Sequence, residues 1–346
     1  MSSAILSYIG HNLAYLRSNL SSLLSSPVLL QSSASVSAFL SSNDIDTVLF
    51  DCDGVMYRSG TPIPGVSRAI SHLLDTGLKV VFVTNSSGSN RSKMAAKLTK
   101  LMGRDIPRDM CLPTCYTAAW YMKKHHPDVD KVYVIGGQGI VDELTAAGYT
   151  CLGGPSTSST PSSMNESSCE SFVPSSSVGA VVVGMSSDFT YSMLFEATCY
   201  LRDPECKLIA TNRDAFDVLA GGVHQPAAGA MVAALEASAN RKAVNVGKPT
   251  SHTIGILEDE FSVVRSSTLM VGDRLDTDIA FGVNNGFRTA LVLSGVTPGE
   301  LACRVCSGEG VGEEKYVPTV VIPSAGFLGP GKEAEEELEG GGRARL

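Results

Sequence analysis

The chain has 346 residues, 43% of them hydrophobic and 18% charged, with a net charge of −8. That length suits two domains, and the apolar content excludes wholesale disorder. The acidic balance leaves no basic stripe for a nucleic-acid backbone, and no apolar run reaches the ~18 residues of a membrane helix, so neither nucleic acid nor membrane is expected as a partner.

Residues 1–43 are Ser-rich, have no acid and carry Arg17 as their one Lys or Arg. They read as a variable N-terminal helix and tail, with Leu13, Leu16, Leu20 and Leu24 at roughly helical spacing; an organelle transit segment is the alternative. Thr47–Phe50 is an apolar run that ends in acids, the pattern of a buried strand with polar groups at its carboxyl end. A helix carrying Val66, Ala69, Ile70, Leu73 and Leu74 follows and closes at Gly77. Lys79–Val83 gives a second strand, which runs into Thr84-Asn85-Ser86-Ser87, and then a helix from about Arg91 to Met102. A second alternation has strands at Val132–Ile135, Ala180–Val183 and Leu208–Ala210, with helices through Leu144, around Tyr191–Leu201 and around Gly229–Ala239. The Ser/Pro-rich stretch 154–177 reads as a disordered insert. The last alternation contains Gly247-Lys248-Pro249, a strand ending at Asp273, an apolar helix through Ile279, Ala280 and Val283, and strands at Thr289–Leu293 and Val320–Ile322. Beyond Gly326 the chain turns Gly- and Glu-rich, and 326–346 reads as a disordered acidic tail ending in Ala344-Arg345-Leu346.

The β-α alternation implies an α/β fold with a doubly wound parallel sheet. Four strand ends carry polar groups, namely Asp51/Asp53, Thr84/Asn85, Lys248 and Asp273, and ligands of such sheets bind beyond the carboxyl ends of strands. Asp51 and Asp53 stand two apart and so share one side of an extended backbone. With Asp273 they form an acid set suited to Mg²⁺. A carboxylate held this way can attack phosphorus, while Asp53 can protonate a leaving alcohol and then deprotonate water. Thr84 and Asn85 would hold phosphoryl oxygens, and Lys248 would offset their charge. Taken singly, each of these has a plainer reading as a turn, a helix cap or a solvated lysine.

In order along the chain, Val48-Leu49-Phe50-Asp51-Cys52-Asp53-Gly54-Val55, Val81-Phe82-Val83-Thr84-Asn85-Ser86, Gly247-Lys248-Pro249 and Val271-Gly272-Asp273-Arg274-Leu275-Asp276-Thr277-Asp278-Ile279 resemble the four motifs of the haloacid dehalogenase-type phosphatases, over about Asp46 to Ile322. The similarity is to the branch of phosphoglycolate, 4-nitrophenyl and pyridoxal-phosphate phosphatases. It implies Asp51 as nucleophile and metal ligand, Asp53 as general acid/base that ligates metal through its carbonyl, and Asp273 as the third protein ligand of Mg²⁺. Thr84, Asn85 and Ser86 would bind phosphate, Lys248 would neutralise it, and Asp278 would orient Lys248 or a metal-bound water. It also implies a Rossmann-like core over 44–103 and 243–325 with an α/β cap inserted over 104–242, the cap being a homodimer surface in relatives. Thr211–Asp217 resembles the family's specificity stretch, with Asn212, Arg213 and Asp217 toward the substrate. Asp217 stands where the pyridoxal-phosphate branch carries His. The stretch Val183-Gly184-Met185-Ser186 departs from the common Val-Gly-x-Asp, with Ser186 in the acid's place.

The resulting expectation is a Mg²⁺-dependent hydrolase of small phosphomonoesters, 2-phosphoglycolate first. Pyridoxal phosphate, a sugar phosphate or a nucleotide are the alternative substrates. A catalytically silent, dimeric interaction protein is the non-enzyme alternative, and it predicts loss of Asp51 or Asp53, both of which are present. The nine cysteines include one CxxC pair, Cys303 and Cys306, in a loop-like stretch, and read as reduced thiols in an intracellular protein. A cytoplasmic location is expected. The alternatives are an organelle reached through the Ser-rich N-terminus, or a peroxisome-type organelle reached through Ala344-Arg345-Leu346, an ending similar to the Ser-Lys-Leu address.

Overall fold

A computed structural model describes residues 2–19, 28–155, 165–175, 177–219, 223–308, 316–331, 336 and 338. The chain forms two compact units, Met1–Thr84 with Ala95–Cys111 and Leu257–Leu346, and Asn85–Met94 with Leu112–Ile256.

The first unit is built on a sheet whose strands run, in spatial order, Val28–Leu29, Val320–Ile322, Arg288–Val292, Thr268–Gly272, Thr47–Phe50 and Lys79–Thr84. These six pair in parallel. Thr47–Phe50 and Thr268–Gly272 are fully buried, as continuous apolar runs in a parallel sheet require. Phe50 and Phe82 lie on adjacent strands with ring centroids 6.2 Å apart, and each such buried ring contributes about 2–3 kcal/mol. The chain leaves Thr47–Phe50 toward one edge first and returns later to build the other. The strand order therefore reverses between Thr47–Phe50 and Thr268–Gly272, the switch point at which open sheets bind ligands.

The second unit has its own parallel sheet, in the order Val244–Asn245, Lys207–Ala210, Val178–Val183, Lys131–Ile135, Thr150–Gly153. Helices Thr114–His125 and Gln138–Ala146 bury Ala118, Met122, Ile140 and Leu144 on one face. Helices Tyr191–Leu201 and Ala228–Ala239 bury Ala197, Leu201, Val232 and Leu235 on the other. Among the described residues no helix is long and apolar enough to cross a membrane.

Several sequence expectations change. The second unit comprises Asn85–Met94 and Leu112–Ile256, and Asn85 and Lys248 are bonded to each other within it. The described residues of segment 1–43 belong to the first unit: helix Ser2–Asn19 buries Ile5, Ile9, Leu13 and Leu16, and Asn12 bonds to Leu293 and Gly299. Leu20 and Leu24 lie outside the described residues. Within the Ser-rich insert, Glu166–Ser171 is helical, capped by Asn165, and Phe172 beyond it stacks edge-on against Phe195 at 5.6 Å. The tail does not start at 326, since Ala325–Leu328 is a buried 3₁₀ turn and Gly326 packs on the backbone of Pro64 and Gly65. Ala344-Arg345-Leu346 lies outside the described residues. Cys303 and Cys306 sit in helix Gly299–Cys306, whose apolar face with Ala302 and Val305 is buried, and burial pushes the Cys306 thiol up to about 12. All nine cysteines are free thiols.

Candidate active site

Asp51 and Asp273 immediately follow two neighbouring parallel strands. Phe50 pairs with Val271, and the Asp51 N–H donates to the Val271 carbonyl at 2.9 Å. The Asp273 N–H and the Arg274 N–H both donate to Asp278 Oδ2 at 3.1 Å. This closure is possible because Leu275–Ile279 is a π-helical turn, in which the Ile279 N–H reaches back to the Arg274 carbonyl; single π turns of this kind are frequent at functional sites. As a result one carboxylate oxygen each of Asp51, Asp273 and Asp278 lie within 4.8 Å of one another, at a buried strand end.

Glycines make the room. Gly54 has φ +84°, and a Cβ on it would overlap the Asp273 carboxylate. A Cβ on Gly295 would do the same, and one on Gly272 would strike Asp278. The loop after strand Arg288–Val292 closes over the acids, with the Val296 N–H donating to Asp273 Oδ2 at 2.6 Å and Ser294 Oγ donating to the Gly54 carbonyl at 2.6 Å. Crowded carboxylates with a cradle shaped by missing side chains suit a hard, oxygen-preferring divalent cation. Asp53 is exposed, and its Oδ2 accepts from the Tyr57 hydroxyl at 3.3 Å. Burial, then Cys52, Asp53 and Asp51, push the Tyr57 phenol far above its usual range, so it stays protonated and donates. Lys97 Nζ stands 3.6 Å above the Tyr57 ring. Thr84, at the end of the next strand, is buried.

The second unit holds a cluster of amides. Asn85 Nδ2 donates to both oxygens of Asp214, at 3.0 and 3.2 Å, and to the Lys248 carbonyl at 3.2 Å. Asn85 Oδ1 accepts from the Lys248 N–H at 2.9 Å. Asn212 Nδ2 and Thr114 Oγ1 both donate to the Asn85 carbonyl, at 2.7 and 2.6 Å. Asn85, Asn212 and Lys248 are all buried. The Arg213 guanidinium is paired with Glu236 and also donates to the Ala243 carbonyl at 3.1 Å. That arginine, first among the causes, holds the Glu236 carboxyl down at about 2.

A family description of haloacid dehalogenase-like hydrolases matches residues 48–150, and a second, HAD-hydrolase-like description matches residues 245–322. Phosphoglycolate phosphatase 2 of Arabidopsis thaliana is 43% identical over 273 residues, covering 78% of this chain and 89% of that one. The chain belongs to the haloacid dehalogenase-like hydrolases. Human chronophin is 34% identical over 290 residues, 83% of this chain and 93% of its own. The solved p-nitrophenyl phosphatase of Archaeoglobus fulgidus superposes with a TM-score of 0.68 at 26% identity, over 82% of this chain and 98% of that one. With these relatives the reaction class is hydrolysis of phosphomonoesters.

Against that family pattern, the structure brings Asp51, Asp273 and Asp278 together in the first unit. Asp278 lies in the acid cluster and braces the Asp273 backbone. In the second unit the side chains of Asn85, Asn212 and Arg213 are bonded to protein partners, Asn85 and Asn212 buried and Arg213 exposed. Ser86 and Asp217 are exposed; Asp217 sits on the short hairpin Phe216–Val218/His224–Pro226, where the Phe216 and His224 rings stack at 4.3 Å. Sequence reasoning missed Tyr57, the Ser294–Val296 loop and Asp214. Asp214 carried a signal, two residues beyond Asn212 in a polar run after a strand. The loop's glycine after Leu293-Ser294 was the weaker hint.

Proposed function

We propose that this hydrolase acts on 2-phosphoglycolate through an aspartyl-phosphate at Asp51. The observation that carries the reading is the trio of carboxylates within 4.8 Å at the switch point of the sheet, in a chain 43% identical to a phosphoglycolate phosphatase. Asp51, Asp273 and the Asp53 carbonyl would hold Mg²⁺, with Asp278 beside them. When bound, the ion offsets the charge that otherwise keeps a phosphate away from carboxylates.

Asp51 Oδ attacks phosphorus as the ester P–O bond breaks. Asp53 gives its proton to the departing glycolate oxygen. Asp53, now a carboxylate, takes a proton from water, whose oxygen attacks phosphorus; the Asp51–phosphorus bond breaks and phosphate leaves. Tyr57, donating to Asp53 Oδ2, leaves Oδ1 to carry the transferred proton. The Thr84 hydroxyl and the backbone at Asn85 and Ser86 bind phosphoryl oxygens, and Lys248 supplies positive charge against them. Asn212, Arg213 and Asp217 shape the specificity stretch, Asn212 by accepting from the Asp214 N–H. The enzyme works as a homodimer joined through the second unit, testable by sedimentation, and in the cytoplasm, testable with a fluorescent fusion that leaves Ala344-Arg345-Leu346 free.

The deciding experiment is a phosphate-release screen over 2-phosphoglycolate, pyridoxal phosphate, sugar phosphates, nucleotides and 4-nitrophenyl phosphate with Mg²⁺. The reading expects the highest kcat/KM among metabolites on 2-phosphoglycolate. A tenfold or greater preference for another ester (~1.4 kcal/mol in transition-state binding) removes that substrate.

A further inference from the structure

A primary amide has two protons to give and one oxygen with which to accept. In Asn85 all are committed inside the second unit. Nδ2 gives to the Asp214 carboxylate and to the Lys248 carbonyl, and Oδ1 takes the Lys248 N–H. The partners also fix which end is nitrogen, since a carboxylate and a carbonyl accept and an N–H donates. No amide proton remains for a phosphoryl oxygen. What the side chain does instead is read both backbone groups of one residue, as a neighbouring strand would. That sets the position and rotation of the Lys248 backbone from which the ammonium is hung.

The grip is itself held. The Asp214 N–H donates to Asn212 Oδ1 at 3.0 Å and Asn212 Nδ2 donates to the Asn85 carbonyl, closing a ring through Asn85, Asp214 and Asn212. Gly247 lets the chain come this close, because a Cβ there would lie 2.9 Å from Asn85 Oδ1 and 3.1 Å from the Asn212 Cβ. Lys248 is buried, so a misplaced backbone has little free volume in which its side chain can compensate.

We propose that Asn85 and Asp214 are positioning residues for Lys248, acting on the reaction through the lysine rather than by contact with the phosphoryl group. This rests on the reading of Lys248 as the group that neutralises the substrate phosphate.

The test is a double-mutant cycle on kcat/KM for 4-nitrophenyl phosphate. Asn85→Ala and Lys248→Ala are each expected to lose about 10²-fold, the scale of a misplaced or missing catalytic group. The double variant should fall no further than Lys248→Ala alone, within about twofold. Losses that multiply would mean that Asn85 acts independently of the lysine, and would overturn the proposal while leaving the reading of Lys248 intact. Full activity in Lys248→Ala would overturn both. Should Asn85→Ala not fold, Asp214 carries the test. Asp214→Asn keeps an acceptor oxygen for Asn85 Nδ2 and should retain most of the activity that Asp214→Ala loses, whereas an Asp214→Ala variant as active as the parent would overturn the proposal.

Discussion

The acid cluster of the first unit and the amide cluster of the second are both placed after strand ends, yet they are wired in opposite ways. In the first, three like charges are brought within 4.8 Å, with glycines where side chains would otherwise fill the cradle. In the second, the Asn85 amide is saturated by protein groups. Like charges in proximity cost stability and invite a counter-ion, whereas saturated buried amides hold a backbone in one place. The contrast is between crowded carboxylates and a saturated amide, and each can be challenged by substitution.

The largest effect is expected at Asp51. Asp51→Asn should lower 4-nitrophenyl phosphate turnover by roughly 10⁴-fold or more, while raising stability in metal-free buffer by about 1 kcal/mol as one like charge is removed. Unchanged turnover, or a lower melting temperature, would erase the distinction between the clusters. Chelation with excess EDTA should take the parent to background rate, with recovery on Mg²⁺ addition; activity that persists in EDTA would mean the acids need no cation. Gly295→Ala tests the cradle: its Cβ overlaps the Asp273 carboxylate, and kcat/KM should fall by about 10²-fold with the second unit's hydrogen-exchange protection unaltered. Tyr57→Phe removes one hydrogen bond to Asp53 and should slow 2-phosphoglycolate hydrolysis by about 3- to 10-fold. The effect on 4-nitrophenyl phosphate should be smaller, because that leaving group needs little protonation.

The smallest effect concerns Arg213 and Glu236 in the second unit. Glu236 is held at about 2 in the folded chain against ~4.3 unfolded. A depressed carboxylate contributes stability above its unfolded value and loses it as pH falls toward its folded one. Part of the parent's stability should therefore disappear between about pH 4.3 and pH 2. Arg213→Ala should remove about 1 kcal/mol near pH 7, discounted because the guanidinium is partly exposed, and should flatten that acid limb. An unchanged limb in urea titrations would show that the pair is inert.

Strand ends were legible and pairings were not. Thr47–Phe50 and Thr268–Gly272 announce themselves as apolar runs ending in acids, because a buried parallel strand leaves polar groups only at its ends. That pattern placed Asp51 and Asp273. Val28–Leu29 is two residues long, too short to carry a period. The packing of Ala325–Leu328 depends on a glycine meeting the Pro64–Gly65 backbone, which no local pattern encodes. The partner of Asn85 lies 129 or 163 residues away, and a polar residue after a strand looks the same whether it faces ligand or protein. The Glu236 partner of Arg213 lies 23 residues along the chain, equally hidden from a local pattern.

The π turn at Leu275–Ile279 has a consequence of phase. It holds one residue more per hydrogen-bonded ring than an α turn, so it couples two registers that would otherwise clash: Asp273 in step with the sheet, and Ala280–Asn285 in step with the core. Ile279, Ala280 and Phe281 are buried, and Val283, an apolar residue of the same helix, is 43% exposed. Deleting one residue from the turn would rotate everything after it by about 100° and carry Asp278 away from the Asp273 N–H. The segment is thus a gear with a fixed number of teeth, open to exchange of side chains and closed to any change in length.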